Sequence, residues 1–345
     1  MSRCSFLDDY SEGCHPRILE ALTNTNLIQQ IAYGEDEYSI QARNLIREQL
    51  GGKDIPIYFV AGGTLANIII TSTSLRSHEA VIAASTGHIV VRETGAIEAT
   101  GHKIITVTTD DGKLTPDDIE TTLANNAHYP HMAKPRLVYI SNATETGTVY
   151  TKAELQGLSE VCKRNGLLLL LDGARLGVAL TASINDLSLK DIAELTDIFW
   201  IGGTKAGALI GEAIVIPNGQ LATEFTFHIK QRGGLLAKGR LLGIQFVELF
   251  SDGLFFELSQ HANAMAQKLS TAITDCGYSL TAPTESNQIF PVLPNTLIEK
   301  LEEKYDFYLW EKAHDQHSVI RMVTSWATDE KQVEALINDI KNGAA

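Results

Sequence analysis

Four short stretches of this 345-residue chain set reactive or charged side chains beside apolar runs. In AGGTLAN, Gly62 and Gly63 permit a tight turn after the apolar run 55–60, and Thr64 opens the next helix. Free N–H groups at a helix start, with a hydroxyl beside them, suit an anion such as phosphate, although a Gly-Gly-Thr turn can also be only a turn. In LLDGARLG, five leucines at 167–171 end in Asp172, and Arg175 comes three positions later. A carboxylate at the mouth of an apolar strand needs a partner, because burying its charge alone is costly. Either Arg175 pairs with it internally, or the cationic ring nitrogen of a bound cofactor does. In FWIGGTKAGALIG, Lys205 comes after Thr204 and two glycines. Such a lysine either reaches out to solvent along its stem or keeps a lowered pKa and reacts as an amine. In VIRMVTSW, Arg321 lies inside an apolar strand. Its guanidinium needs an anion, either an internal acid or an amino-acid carboxylate gripped by its fork.

The phosphate turn, Asp172 and Lys205 together point to pyridoxal 5'-phosphate. The lysine amine would bond the cofactor's aldehyde carbon, and the carboxylate would keep the pyridine nitrogen protonated so that the ring accepts electrons. Competing chemistries lack their residues: there is no GxGxxG, no GxxxxGK[ST] and no GxSxG. Two HxxH pairs occur, His128/His131 and His314/His317, but the first contains Pro130 and neither has an obvious third ligand. They read as solvated loop histidines, and no metal site is expected.

The elements that must position these residues alternate. Apolar, β-forming runs occur at 55–60, 80–85, 103–108, 136–141, 167–172, 197–203 and 209–217. Helix signals lie between them. Thr115 and Pro116 precede two acids, while Thr151 and Glu154 form a capping-box pattern. Leu155, Leu158, Val161 and Cys162 then recur at helical spacing, and Gly166 stands at the stop position. Strands apolar on both faces, separated by helices, predict an α/β fold with a parallel sheet covered on both sides. Ligands bind such sheets at the C-terminal ends of the strands, where all four stretches lie. After about residue 235 two long helical patterns (236–251 and 254–275) lead to a strand at 287–293, a helix at 296–305, a strand at 319–326 and a last helix. The expected division is a large domain over 1–235 and a helical connection with a small α+β domain over 236–345.

With 28 basic and 42 acidic residues the formal charge is −14, which disfavours nucleic acid as a partner. The longest aliphatic run, the leucines at 167–171, falls far short of the roughly 20 residues of a membrane span. The N-terminal MSRCSFLDDY has no signal pattern, and Cys4, Cys14, Cys162 and Cys276 form no CxxC pair. These features lead to the expectation of a reduced, cytoplasmic enzyme with a small-molecule substrate and no membrane partner.

The ordered set GGTLAN, STGHIVVRETGAIEATGH, LLDGAR, GGTKAG and VIRMVTSW resembles the threonine aldolase family of fold type I pyridoxal-phosphate enzymes. The resemblance extends from about Asp8 to the last helix, and DDYSEGCHP and AYGEDEY are similar to the family's N-terminal segments. It implies a large, mostly parallel sheet domain flanked by helices and a smaller C-terminal domain. It also implies that Lys205 holds the cofactor, that Asp172 pairs with the ring nitrogen, and that Gly63, Thr64 and Thr204 contact the phosphate. His88 would stack on the ring, Arg175 would sit by the phenolic oxygen or the substrate carboxylate, and Arg321 would bind that carboxylate. Tyr33 and Glu93 would lie near the site.

The reaction implied is retro-aldol cleavage of L-threonine or L-allo-threonine to glycine and an aldehyde, with His88 taking the hydroxyl proton directly or through water. A β-eliminating lyase and a cofactor-holding protein without catalysis are the alternatives. A homodimer or homotetramer with sites at subunit contacts is implied as well. The chain departs from the family's pattern at two places. Ala143, Thr144 and Glu145 stand where the family often has a histidine, and the family's phosphate-contacting arginine has no clean match among Lys230, Arg232, Lys238 and Arg240.

Overall fold

Seven runs of β-formers pair into one sheet in the computed structural model, which describes residues 3–344. Met1 and Ser2, at the head of the N-terminal MSRCSFLDDY, and Ala345 lie outside the described residues. The strands are β1 (Ile57–Val60), β2 (Glu79–Ala84), β3 (Lys103–Val107), β4 (Lys134–Ser141), β5 (Leu168–Asp172), β6 (Ile198–Gly202) and β7 (Glu212–Val215). Their order across the sheet is β1-β7-β6-β5-β4-β2-β3. All run parallel except β7, which is antiparallel to both β1 and β6. This qualifies the expectation of a parallel sheet, and the cause is length. The link at 203–211 is too short for the crossover of a dozen or more residues that a parallel return requires, so the chain must double back.

The leucine run shows why the sheet is covered on both sides. Every residue of β5 is buried. Side chains alternate along a strand, so Leu169 and Leu171 join one core with Phe199 and Ile201, while Leu168 and Leu170 join the opposite core with Ile198 and Trp200. Among the helices are α1 (Glu37–Gln49), α2 (Gly63–Ser74) and α3 (Lys152–Asn165). Helix α3 starts at the Thr151–Glu154 capping box and stops at Gly166 in the left-handed conformation, φ 64°. Its Leu155, Leu158, Val161 and Cys162 are all buried, as their spacing predicts.

Helix α4 (Arg240–Phe250) packs on α1 and sends Phe246, Leu249 and Phe250 into the large core. Helices α5 (Leu254–Asp275) and α6 (Glu330–Ala344) cover a smaller sheet. Its principal strands are β8 (Gln288–Ile289), β9 (Pro291–Pro294), β10 (Tyr308–His314) and β11 (His317–Val323). Phe6 enters the core of this part beside Leu269, Ile320, Met322 and Leu336. The N-terminal strand Cys4–Ser5 pairs with Tyr305–Asp306, which ties the first residues down and carries the following Asp8, Asp9 and Tyr10 back towards the large sheet. Strand β10 was not expected from the sequence, because all seven of its residues are exposed and no apolar alternation marks it.

The turn after β5 is tight. A Cβ built on Gly173 would come 1.9 Å from the carbonyl oxygen of Trp200 on β6. Gly173→Ala must force β5 and β6 apart just where Asp172 is delivered, and a destabilisation of about 3 kcal/mol or more is expected. Urea or thermal unfolding measures it, and an unchanged midpoint would contradict this close approach.

Candidate active site

The C-terminal ends of β1, β5 and β6, with the turn after β2, bring Gly63, Thr64, Asp172, Thr204, Lys205 and His88 to one cavity of about 210 Å³. Five of the candidate residues come from the three turns that the sequence marks with glycine. Helix α2 opens with Gly62 as its N-cap and no side chain bonded to its free N–H groups, so its start is free to receive an anion.

The centre of the site is Asn67, one turn into α2. Its Nδ2 donates to Glu93 Oε1 at 2.8 Å and to Asp172 Oδ2 at 3.1 Å, and its Oδ1 accepts from Trp200 Nε1 at 3.1 Å. Asp172 Oδ2 also accepts from the Tyr139 hydroxyl at 2.6 Å, and Oδ1 accepts the Ala174 N–H at 3.0 Å. Three donors thus meet this buried carboxylate, and the usual capacity of about four leaves Oδ1 one acceptor position at the cavity. Burial and the adjacent Asp172 push the Tyr139 hydroxyl well above its ordinary pKa, so it stays a donor. On the far side of Asn67, Glu93 Oε1 meets His88 Nδ1 at 2.8 Å, while Glu93 Oε2 is buried without a partner among the described residues. A carboxylate on Nδ1 fixes the tautomer: Nδ1 carries the hydrogen, and Nε2 is left as an acceptor.

Lys205 comes just after β6, with its Nζ 5.7 Å from the centre of the Tyr10 ring. Burial lowers its pKa first and the nearby Arg175 cation second, against the opposing pull of Asp9, Asp172 and Glu212. This moves the amine towards its nucleophilic form without removing its charge outright. The residues present therefore fit pyridoxal phosphate: an amine for its aldehyde, a carboxylate with an open acceptor position for its ring nitrogen, and a helix start with two threonine hydroxyls for its phosphate. Glu212 joins them from β7, and its acid is pushed up to about 8 by burial.

Arg175 does not pair with Asp172. It grips Asp9 through two bonds, Nε to Oδ2 at 2.7 Å and Nη2 to Oδ1 at 3.0 Å, and Asn287 Nδ2 adds a third at 2.9 Å. Arg321 is anchored by an amide instead of an acid: its Nε and Nη2 both donate to Gln288 Oε1, at 3.2 and 2.8 Å. Its guanidinium also lies 5.9 and 5.7 Å from the ring centres of Tyr308 and Trp310. Burial, together with the Arg175 cation, lowers the Arg321 pKa to about 10. Both arginines thus use their Nε–Nη2 edge internally, and neither Nη1 has a hydrogen-bond partner among the described residues.

Glu145, in the segment where the family often has a histidine, accepts the His88 backbone N–H at 2.9 Å and the Ser141 hydroxyl at 2.8 Å. Burial, with Asp172 nearby, raises its pKa. Tyr33 is not brought to this cavity; it lines two others, with Lys230 Nζ 4.6 Å from its ring centre. Arg240 is occupied in its own chain by the carbonyls of Thr25 and Ile28, whereas Lys230, Arg232 and Lys238 are exposed. His128 and His131 lie around an exposed loop, as read, whereas His314 and His317 are not loop residues: they end and begin the strands β10 and β11 and pair across the hairpin, with His317 Nδ1 buried. No group of three or more potential metal ligands exists among the described residues.

Asn67, Tyr139, Asp9, Glu212 and Gln288 were not anticipated. Only Glu212 carries a readable signal, the same one that marks Asp172 and Arg321: a charge inside an apolar strand.

Residues 8–295 match the sequence model of the family described as beta-eliminating lyase. The low specificity L-threonine aldolase of Pseudomonas sp. is 36% identical over 343 residues, which cover 97% of this chain and 96% of that one. Its namesake in Saccharomyces cerevisiae is 27% identical over 79% of this chain and 71% of that one. The solved threonine aldolase of Leishmania major matches with a TM-score of 0.98 and 49% identity, covering 99% of this chain and all of that one (100%). An aspartate aminotransferase of Thermus thermophilus, 13% identical with a TM-score of 0.69, shares the fold alone.

The Asp9–Arg175 pair has a pH signature. Burial alone would raise the Asp9 acid, but the Arg175 and Lys205 cations and the bonds from Arg175 and Asn287 outweigh it and hold it at about 2 against 3.8. A folded-state pKa below the unfolded one stabilises the fold above the unfolded pKa, and that contribution is lost as pH falls through the folded one. The stability advantage of the wild type over Asp9→Asn should therefore include about 2 kcal/mol that is full above pH ~4 and fades towards pH ~2. Denaturant unfolding across that range checks it, and a difference that stays constant down to pH ~2 would contradict the assignment.

Proposed function

The chain belongs to the beta-eliminating lyase family, and from that membership and the geometry of its cavity we propose that it is a pyridoxal-phosphate enzyme cleaving L-threonine and L-allo-threonine to glycine and acetaldehyde. The carrying observation is the meeting of Lys205 and Asp172 in one cavity of a chain so similar to threonine aldolases. When bound, the cofactor supplies a conjugated, protonated ring that accepts the electron pair left on Cα as the Cα–Cβ bond breaks.

The chain's own residues do the rest. Lys205 holds the cofactor through its amine. Asp172, kept in place by Asn67, Tyr139 and the Ala174 N–H, offers its remaining acceptor position to the ring nitrogen. The N–H groups at the start of α2, with the Thr64 and Thr204 hydroxyls, take the phosphate. Arg321 and Arg175 present their free Nη1 groups to the substrate carboxylate. Two fixed points would hold the amino acid's carboxylate, and correct placement is the main contribution a protein can make to such a step. His88 lines the cavity, and its Nε2 would receive the β-hydroxyl proton while Glu93 would stabilise the charge that the imidazole gains.

A homodimer or homotetramer would cover the exposed apolar residues Leu27 (93%), Ile31 (70%) and Phe227 (74%). In that assembly Tyr33, Lys230, Arg232 and Lys238 would reach a neighbouring copy's site. No helix among the described residues is long and apolar enough to cross a membrane, and all four cysteines are free, which fits a cytoplasmic setting.

Two variants test this reading. After incubation with pyridoxal phosphate and reduction with borohydride, the wild type should gain the mass of one cofactor, and Lys205→Ala should gain none and lose threonine cleavage. Equal mass gain in the variant would place the attachment elsewhere. Arg321→Ala should weaken glycine binding by about 2–5 kcal/mol, the usual cost of removing one side of a desolvated ion pair. Unchanged glycine affinity would show that other groups hold the carboxylate.

A further inference from the structure

Glu212 lines the cavity and has no part in the retro-aldol reaction assigned to it. It stands on the antiparallel strand β7, opposite Val60 of β1 on one side and Gly202 of β6 on the other. Those are the last residues of the two strands whose following turns carry Gly63 and Thr64, and Thr204 and Lys205. Its side chain therefore lies at the sheet edge between both turns offered to the phosphate. It is 5% exposed; Oε2 accepts the Gly203 N–H at 3.0 Å, and Oε1 accepts the Thr204 hydroxyl at 2.9 Å.

A threonine hydroxyl has one proton to donate. While Glu212 is ionised that proton is directed at Oε1, and Thr204 turns only lone pairs, backed by a negative charge, towards the cavity. This polarity opposes a phosphate dianion. With a proton on Glu212 Oε1 the direction reverses. The acid O–H donates to Thr204 Oγ1, the Thr204 hydroxyl is released towards the cavity, and Oε2 still accepts from Gly203. We propose that Glu212 is a positioning residue of the phosphate site that works as a neutral acid, setting the direction of the Thr204 hydroxyl so that the phosphate and one proton are bound together. The inference rests on the reading of the cavity as a pyridoxal-phosphate site.

The surroundings favour that state. Burial pushes the Glu212 acid up to about 8, with the bonds from Thr204 and Gly203 and the Lys205 cation holding it down and Asp172 adding to the rise. Lys205 faces it from the turn after β6 and Asp172 from the end of β5. Across the cavity stand Tyr10, His88 and Glu93, whereas α2 contributes only the uncharged Thr64 and Asn67. A phosphate dianion arriving beside the acid adds a like charge and raises its pKa further, so binding draws a proton from solution when Glu212 has lost its own.

Pyridoxamine 5'-phosphate, whose amine cannot bond to Lys205, is the probe, titrated by calorimetry into the cofactor-free protein from pH ~7 to ~9.5, the upper part of which lies above the Glu212 titration. In the wild type its Kd should rise about thirtyfold more across that range than in Glu212→Gln, and above pH ~9 each phosphate bound should take up close to one proton, read from buffers of different ionisation heat. Glu212→Gln should match the wild type near pH ~7, because an amide accepts from Gly203 and donates to Thr204 as the neutral acid does. Equal pH slopes in the two proteins would assign the dependence to Lys205 or the ligand and overturn the proposal. So would an absence of proton uptake by the wild type, a readout that needs no variant. If the probe binds at no pH and borohydride fixes no cofactor, the cofactor reading itself fails and takes this inference with it. Binding with equal slopes removes the inference alone.

Discussion

Two carboxylates, Glu93 and Asp172, lie buried on either side of one carboxamide, and the site depends on the three remaining in register. Asn67 donates one hydrogen to each and receives the Trp200 indole N–H in return. Charges removed from water in this way need donors, which meet both oxygens of Asp172 and Oε1 of Glu93. The carboxamide therefore fixes three elements at once: α2 that carries it, β5 that ends in Asp172, and β6 that carries Trp200. Gly63 on α2 lies directly against Trp200, where a Cβ would come within 2.6 Å of the indole, so the turn after β1 is set by the same contact. His88 is coupled to this network through Glu93, and its backbone N–H through Glu145.

The same logic operates around Arg175 and Arg321. Asp9 holds Arg175 and Gln288 holds Arg321, so two cations that repel each other are kept close together. The two anchors differ in kind. Arg175 has a full counter-charge of its own, whereas Arg321 has a neutral amide and two aromatic faces. Arg321 is thus the less compensated cation, and it is the one that gains more from a carboxylate ligand. Asp9 reaches Arg175 because the N-terminal strand is paired with Tyr305–Asp306, so the pair joins parts of the chain that are far apart in sequence.

Much of this was legible in the sequence where a single residue contradicts its surroundings. Asp172 and Arg321 stand out as charges in apolar strands, Lys205 as a cation after two glycines, and the leucine run as a strand covered on both faces. The antiparallel turn of β7 is dictated by the length of the link at 203–211, a local constraint that overrides the alternation of strands and helices along the rest of the sheet. What could not be read is pairing. Asn67 meets Glu93 26 positions on, Asp172 105 positions on and Trp200 133 positions on, and nothing in LANIII says which partners folding will bring. Asp9 is one acid among 42 until the fold sets it against Arg175, 166 positions away. Strand β10 is invisible for the opposite reason: all seven of its residues stay exposed, so no buried alternation marks it in the sequence.

The same lysine, aspartate and arginines could serve either of two bond cleavages, so the most direct test asks which bond of threonine breaks. The protein loaded with pyridoxal phosphate should be given L-threonine and, separately, L-allo-threonine, with acetaldehyde, glycine and 2-oxobutyrate quantified together. Equimolar acetaldehyde and glycine, with no 2-oxobutyrate above the level of free cofactor, are expected from cleavage between Cα and Cβ. Accumulation of 2-oxobutyrate in place of that pair would show that the β-hydroxyl leaves instead, and would contradict the roles given to His88 and the two arginines.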